Sequence, residues 1–301
     1  MQIRAQDNVP LVFEQFGAED GIPLVLLHGL SQQRHYWGPV IDRLPGRQIV
    51  AVDQRGHGDS ANDDVDATSD FSIERCAADV MCVLDELGIE DAIVVGHSWG
   101  ASVALKAAAA YPNRVRSAVL IDGGLFGPRH LIQGELDREQ VREALRPPPL
   151  GMLEPALWQA ISSGDLSPYW TDQIRAALAP TFRTDGTGHT FTRIGMERHM
   201  AVLDGLIDYD PAPDIEMLAV PAWVVSCEPR GDDDAQEDPM ALAWRRARRE
   251  QLAALPRTFF VQRWSGALHD VPLQWPAMVA GLLETVAERI EAPREANKEN
   301  R

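Results

Sequence analysis

Cysteine is scarce in this chain: three in 301 residues, Cys76, Cys82 and Cys227. An odd count with no metal-ligand spacing argues against a disulfide framework and a cysteine-bound metal, so buried free thiols in a reducing compartment are expected. Positive charge is short as well. Twenty-eight Lys and Arg stand against 45 Asp and Glu, a formal net charge of −17. Such a surface repels phosphate backbones and anionic lipid, so neither nucleic acid nor membrane is expected as a partner, and the acidity reads as a device for solubility. Long apolar runs are missing too, none reaching the roughly 18 residues that cross a bilayer. The opening "MQIRAQDNVPLVFEQFG" lacks the basic region and apolar core of a signal peptide, which makes the cytoplasm the expected location. No internal repeat is visible.

What is present has the pattern of a layered α/β enzyme. "PLVLLHG" (23–29), "RQIVAVD" (47–53), "DAIVVGH" (91–97) and "RSAVLID" (116–122) are near-continuous apolar runs, each ending in a Gly-containing or polar turn. Strands buried on both faces read this way, and helical stretches between them imply a parallel sheet covered on both sides. Ser72 caps the clearest of those helices, with Ile73, Ala77, Val80, Leu84 and Leu87 at helical spacing and Gly88 at its end. Two more strands, "VPAWVVSC" and "RTFFVQRW", follow far downstream, on either side of the basic helical stretch "DPMALAWRRARREQLAAL". The expected organisation is a first core part (1–124), an inserted helical cap (125–214), a second core part (215–291) and a frayed tail (292–301). "RTDGTGHTF" within the cap reads as a loop or short hairpin.

One motif carries chemistry. Gly96-His97-Ser98-Trp99-Gly100 is a G-x-S-x-G sequence between a buried strand and the Ala-rich helical run "ASVALKAAAA", the context a nucleophile elbow requires. The turn is so sharp that side chains two residues either side of Ser98 would collide, hence the paired glycines. A serine hydroxyl needs a base, and His269, in "WSGALHDVPLQWP" beyond the last strand, is the candidate among eight histidines. His28, His57 and His97 read as structural groups near the sheet edge, His189 and His199 as cap residues. The negative charge of a tetrahedral intermediate needs preorganised donors. The backbone N–H of Leu30, in the turn that Gly29 permits, and that of Trp99 are the candidates.

Together these residues resemble the α/β-hydrolase family over almost the whole chain. "LLHGL", "AVDQRGHGDS" and "GALHDVPLQWP" are similar to its oxyanion loop, post-strand loop and histidine loop, with Asp53 and Arg55 tying down the second. The resemblance implies a mostly parallel sheet of about eight strands, a cap over the site, a Ser98–His269–acid triad and no cofactor or metal. It leaves the acid open. After the penultimate strand, where many members read Gly-Glu-x-Asp, this chain has "VVSCEPRGDDDAQED", in which Glu228, Asp232, Asp233 and Asp234 compete. Other members place the acid after the strand that follows the nucleophile, which here is Asp122, the preferred candidate.

The expected activity is hydrolysis of a carboxylic ester or lactone, with an apolar small molecule as substrate. Trp158, Trp170 and Phe182, with Tyr169, Met152 and Met196, are candidate pocket walls in the cap, and Trp37 is another after the oxyanion loop. Carbon–carbon bond hydrolases, cofactor-free haloperoxidases or perhydrolases, and small-molecule receptors on the same scaffold are the alternatives. Epoxide hydrolases and haloalkane dehalogenases use aspartate at the elbow, which Ser98 counts against.

Overall fold

A computed structural model describes residues 1–18, 21–61, 65–66, 68–132, 136–147, 151–228 and 239–292. Eight strands form one sheet: β1 (Gln2–Arg4), β2 (Pro10–Phe16), β3 (Leu24–Leu27), β4 (Ile49–Asp53), β5 (Ala92–His97), β6 (Val115–Ile121), and two that follow a long insertion, β10 (Ala222–Glu228) and β11 (Phe259–Ser265). Their order is β1-β2-β4-β3-β5-β6-β10-β11. At one edge β1 pairs with β2 and β2 with β4 in antiparallel fashion, and every other pairing is parallel. That hairpin is absent from the sequence reading, which starts the sheet at Pro23; Asn8 turns it with a positive φ of 67°, a conformation Asn tolerates.

The continuous apolar runs have a simple cause. Successive strand side chains point to opposite faces, and each face has its own core. Leu24, Leu26, Ile49, Ala51, Ile93 and Val95 enter one cluster, while Val25, Leu27, Val50, Val52 and Val94 enter the other. The first face is covered by α1 (Gly38–Ile41), α7 (Asp172–Leu178), α11 (Val271–Gln274) and α12 (Pro276–Glu291). The second is covered by α2 (Ile73–Glu86), α3 (Trp99–Ala110) and α9 (Ala212–Met217). Ser72 Oγ caps α2 by accepting from Arg75 N. No helix among the described residues is long and apolar enough to cross a membrane.

Between β6 and α9 the chain leaves the sheet. It forms α4 (Arg129–Ile132), α5 (Arg138–Ala144), α6 (Glu154–Ser162), α7 and α8 (Met196–Asp208), with a small antiparallel sheet of β7 (Met152–Leu153), β8 (Phe182–Thr184) and β9 (His189–Thr192). "RTDGTGHTF" is the β8–β9 hairpin. After β10 the basic stretch forms α10 (Pro239–Ala253). Of the tail, only Ala292 is among the described residues.

The loop after β4 is tied down by buried ion pairs. Asp53 accepts from Arg34 N at 2.6 Å and Asp59 N at 2.8 Å and pairs with the Arg34 guanidinium. Arg55 is fully buried, with both Asp79 oxygens at 2.6 and 2.7 Å and Asp7 at 2.9 Å. These contacts satisfy charges that burial would otherwise make costly.

Candidate active site

Ser98 stands where β5 ends and α3 begins, with φ 55° and ψ −119°. A non-glycine residue in that region is strained, and such strain persists only where the surroundings enforce it. They do so here: Ser98 N donates to Ile121 O at 2.9 Å, and the turn leaves no room at its glycines. A Cβ on Gly96 would lie 2.0 Å from Gly100 O, and one on Gly100 would lie 2.5 Å from Leu27 O. The elbow therefore requires glycine at both positions.

β6 lies beside β5, so the residue after β6 reaches the same sheet edge. Asp122 is 7% exposed, at φ 47°, with its N–H bonded to Val225 O at 2.8 Å. Its Oδ2 is 2.7 Å from His269 Nδ1, and His269 Nε2 is 3.0 Å from Ser98 Oγ. Asp122 Oδ1 accepts from Cys227 N at 3.0 Å and has Arg248 Nη1 at 3.4 Å. Burial would raise the Asp122 pKa, but the His269 bond and charge, Arg248 and the Cys227 N–H outweigh it and hold the carboxyl below its usual value. For His269 the removal from water favours the neutral ring, yet Asp122 and Asp270 prevail and the pKa is raised above 6.5.

The loop carrying His269 is pinned from three sides. Gln274 accepts from Leu268 N at 2.7 Å and donates to Gly266 O at 3.0 Å. His97 Nε2 donates to His269 O at 2.8 Å, and Tyr36, stacked on His97 at 5.2 Å, donates to Asp270 at 2.9 Å. Burial and the neighbouring His269 push the His97 pKa down to about 4, which keeps it a neutral donor. His28 is likewise held neutral, at about 4, mainly by burial. Its Nδ1 donates to Gly29 O at 2.8 Å while Nε2 accepts from Gln54 N at 3.1 Å, fixing the turn that leads to Leu30. That turn closes with Gln32 N to Gly29 O at 3.1 Å. A Cβ on Gly29 would lie 3.2 Å from Ser98 Cβ, so the turn passes directly over the elbow. Trp99 N is the first N–H of α3 and takes no partner from the helix.

A cavity of about 200 Å³ opens on Ser98 and His269, walled by Phe126, Pro128, Leu206, Trp244 and Arg248. None of the seven expected wall residues is among them. Trp37 is fully buried in the core, edge-on to Tyr36 at 5.9 Å, because its place in the turn before α1 points it under the sheet face. Trp158, Trp170 and Phe182 pack on one another, at 6.4 and 5.8 Å, and Trp158 and Trp170 lie against the core beside α7. Glu228 turns outward to Arg263 at 3.1 Å and makes no bond to His269; Asp232, with Asp233 and Asp234, lies outside the described residues. Trp244 and Arg248 went unnoticed, although their i, i+4 spacing places them on one face of α10.

A family model for the alpha/beta hydrolase fold matches residues 22–199. The chain belongs to the alpha/beta hydrolase fold family. Among its relatives, epoxide hydrolase B of Mycobacterium tuberculosis is 40% identical over 103 residues, 34% of this chain and 28% of that protein. A putative carbamate hydrolase of Azorhizobium caulinodans is 37% identical over 117 residues, 38% of this chain and 42% of that protein. The matched regions thus span less than half of either relative. Among solved structures, E-2-(acetamidomethylene)succinate hydrolase superposes with a TM-score of 0.69 at 23% identity, over 95% of this chain and 98% of that one, a likeness of fold.

Proposed function

We propose that this protein is a hydrolase that cleaves a small carboxylic ester or lactone through an acyl-serine intermediate. The observation that carries the reading is the unbroken chain from the cavity to a buried carboxylate: Ser98 Oγ, 3.0 Å to His269, 2.7 Å to Asp122. His269 Nε2 takes the Ser98 proton as Oγ attacks the carbonyl carbon, and returns it to the leaving alcohol as the C–O bond breaks. Water then enters by the same route and releases the acid. Asp122 keeps the Nδ1 proton in place, so Nε2 is the free base, and the imidazolium forms beside a carboxylate that is already ionised. The N–H groups of Leu30 and Trp99 receive the oxyanion, the latter aided by the positive end of the α3 dipole.

The elbow serine speaks against the epoxide-hydrolase activity of the relative named above, since that chemistry calls for a carboxylate nucleophile. The cavity, about 200 Å³ with aromatic and aliphatic walls, is smaller than the usual drug-sized ligand site and suits a short acyl group rather than a macrocycle. The test is turnover of short linear esters and small lactones by wild type and Ser98→Ala. Loss of kcat by about 10⁴-fold or more is expected in the variant. Equal rates in the two proteins would remove Ser98 from the chemistry.

A further inference from the structure

Resting on the acyl-serine reading, we infer that Arg248 is the specificity residue of this site, selecting half-esters of short dicarboxylic acids by binding their free carboxylate.

The guanidinium lies in the wall of the cavity that holds Ser98 and His269, on a side chain 15% exposed. It rests on the face of Phe126 at 4.9 Å, and Phe126 is held edge-on by Trp244 at 5.6 Å. Among the described residues only Nη1 is engaged: it donates to Cys227 O and lies 3.4 Å from Asp122 Oδ1. Nε is buried with no partner among the described residues, and none of the described residues bonds Nη2. Nε is closed off by the wall, so the donors left for a ligand are those of Nη2, and a guanidinium N–H without a described protein partner in a desolvated wall suits a carboxylate oxygen.

Asp122 is the single carboxylate within ion-pair distance of Arg248 among the described residues, and it also serves His269. Arg248 therefore shares its one protein anion, at 3.4 Å, with the imidazolium that forms when His269 takes the Ser98 proton, while the oxyanion lies at Leu30 and Trp99. An acyl chain ending in a methyl group in place of a carboxylate would leave the guanidinium donors unmet, which a closed site penalises strongly. The aromatic and aliphatic walls of Phe126, Leu206 and Trp244 suit the two methylenes between the scissile carbonyl and the charge. At long range a chain of net charge −17 repels an anion, so the selectivity must come from a cation at the site itself.

The test compares monoethyl succinate with ethyl 4-methylpentanoate, in which a neutral isopropyl group replaces the carboxylate. The readout is the ratio of kcat/KM for the two, because removing a charge 3.4 Å from Asp122 alters both absolute rates. Wild type is expected to favour the half-ester, and Arg248→Gln to collapse that preference by about 10- to 100-fold, mainly through KM, as loss of a charge-assisted pair requires. Arg248→Lys retains part of the preference, and stands in if the Gln variant fails to fold by circular dichroism. A wild type without preference, or a preference that survives Arg248→Gln, overturns the inference. If wild type cleaves neither ester, the acyl-serine reading fails and calorimetry decides the anion site separately. Monoethyl succinate bound by wild type and not by Arg248→Gln supports it; binding by neither, or by both equally, refutes it.

Discussion

Replacing Asp122 by Asn tests the relay at its buried end. Asn keeps the shape, and its carbonyl can still accept the Cys227 N–H that reaches Oδ1 at 3.0 Å. The other arm becomes an NH₂ donor facing His269 Nδ1 at 2.7 Å. The ring must then accept at Nδ1 and carry its proton on Nε2, where it points at Ser98 Oγ and cannot take the serine proton. By analogy with serine proteases, a wrong tautomer lowers kcat by about 10⁴-fold, or about 5.5 kcal/mol in barrier height. The same change removes the largest influences that raise the His269 pKa, so the acid limb of the residual activity moves to lower pH. It also leaves Arg248 without its carboxylate, which adds a loss of stability. The assay is steady-state hydrolysis of a short ester across pH by wild type, Asp122→Asn and Glu228→Gln, with folding checked by circular dichroism. Near-wild-type turnover in Asp122→Asn, with a loss of several orders of magnitude in Glu228→Gln, would refute the reasoning.

With neutral His269 as the proposed base, its pKa raised by Asp122, wild-type kcat/KM should fall on the acid side with a pKa above 6.5; a limb below 6.5 would contradict that proposal. Global stability should also fall on the acid side, for a different reason. His28 and His97 are held down to about 4, so the stability that their neutral forms provide is complete above about 6.5 and is lost as pH falls toward 4. At pH 5 the loss is about 2 kcal/mol for each, measurable as a lower urea midpoint than at pH 7; an unchanged midpoint would refute it. Gly100→Ala should destabilise by about 1–3 kcal/mol or more, because the new Cβ would meet backbone oxygens of Leu27 and His28 at 2.5 and 2.6 Å. Gly281→Ala in α12, where no atom lies within 4 Å, is the contrasting case and should stabilise by up to about 1 kcal/mol. Urea midpoints that move together in these two glycine variants would sink the steric argument.

The sequence by itself determined whatever rests on neighbours along the chain. Near-continuous apolar runs made β3 to β6 legible as doubly buried strands, since each strand feeds two cores. The elbow was legible because a serine between paired glycines, after such a strand and before a helix, leaves the backbone little choice. His269 stood out by its place beyond the final strand. Tertiary structure decided what depends on elements far apart in the chain. Sheet order puts Asp122 next to Ser98 because β6 borders β5, whereas Glu228 ends β10, one strand further out, and faces Arg263 on β11. The cavity walls follow the same rule. Trp37 lies in the core rather than in the wall, and Phe126, Leu206, Trp244 and Arg248 come from three separate segments. Which side of each segment faces the serine is set by how helices pack across the sheet edge, and composition carries no record of that packing.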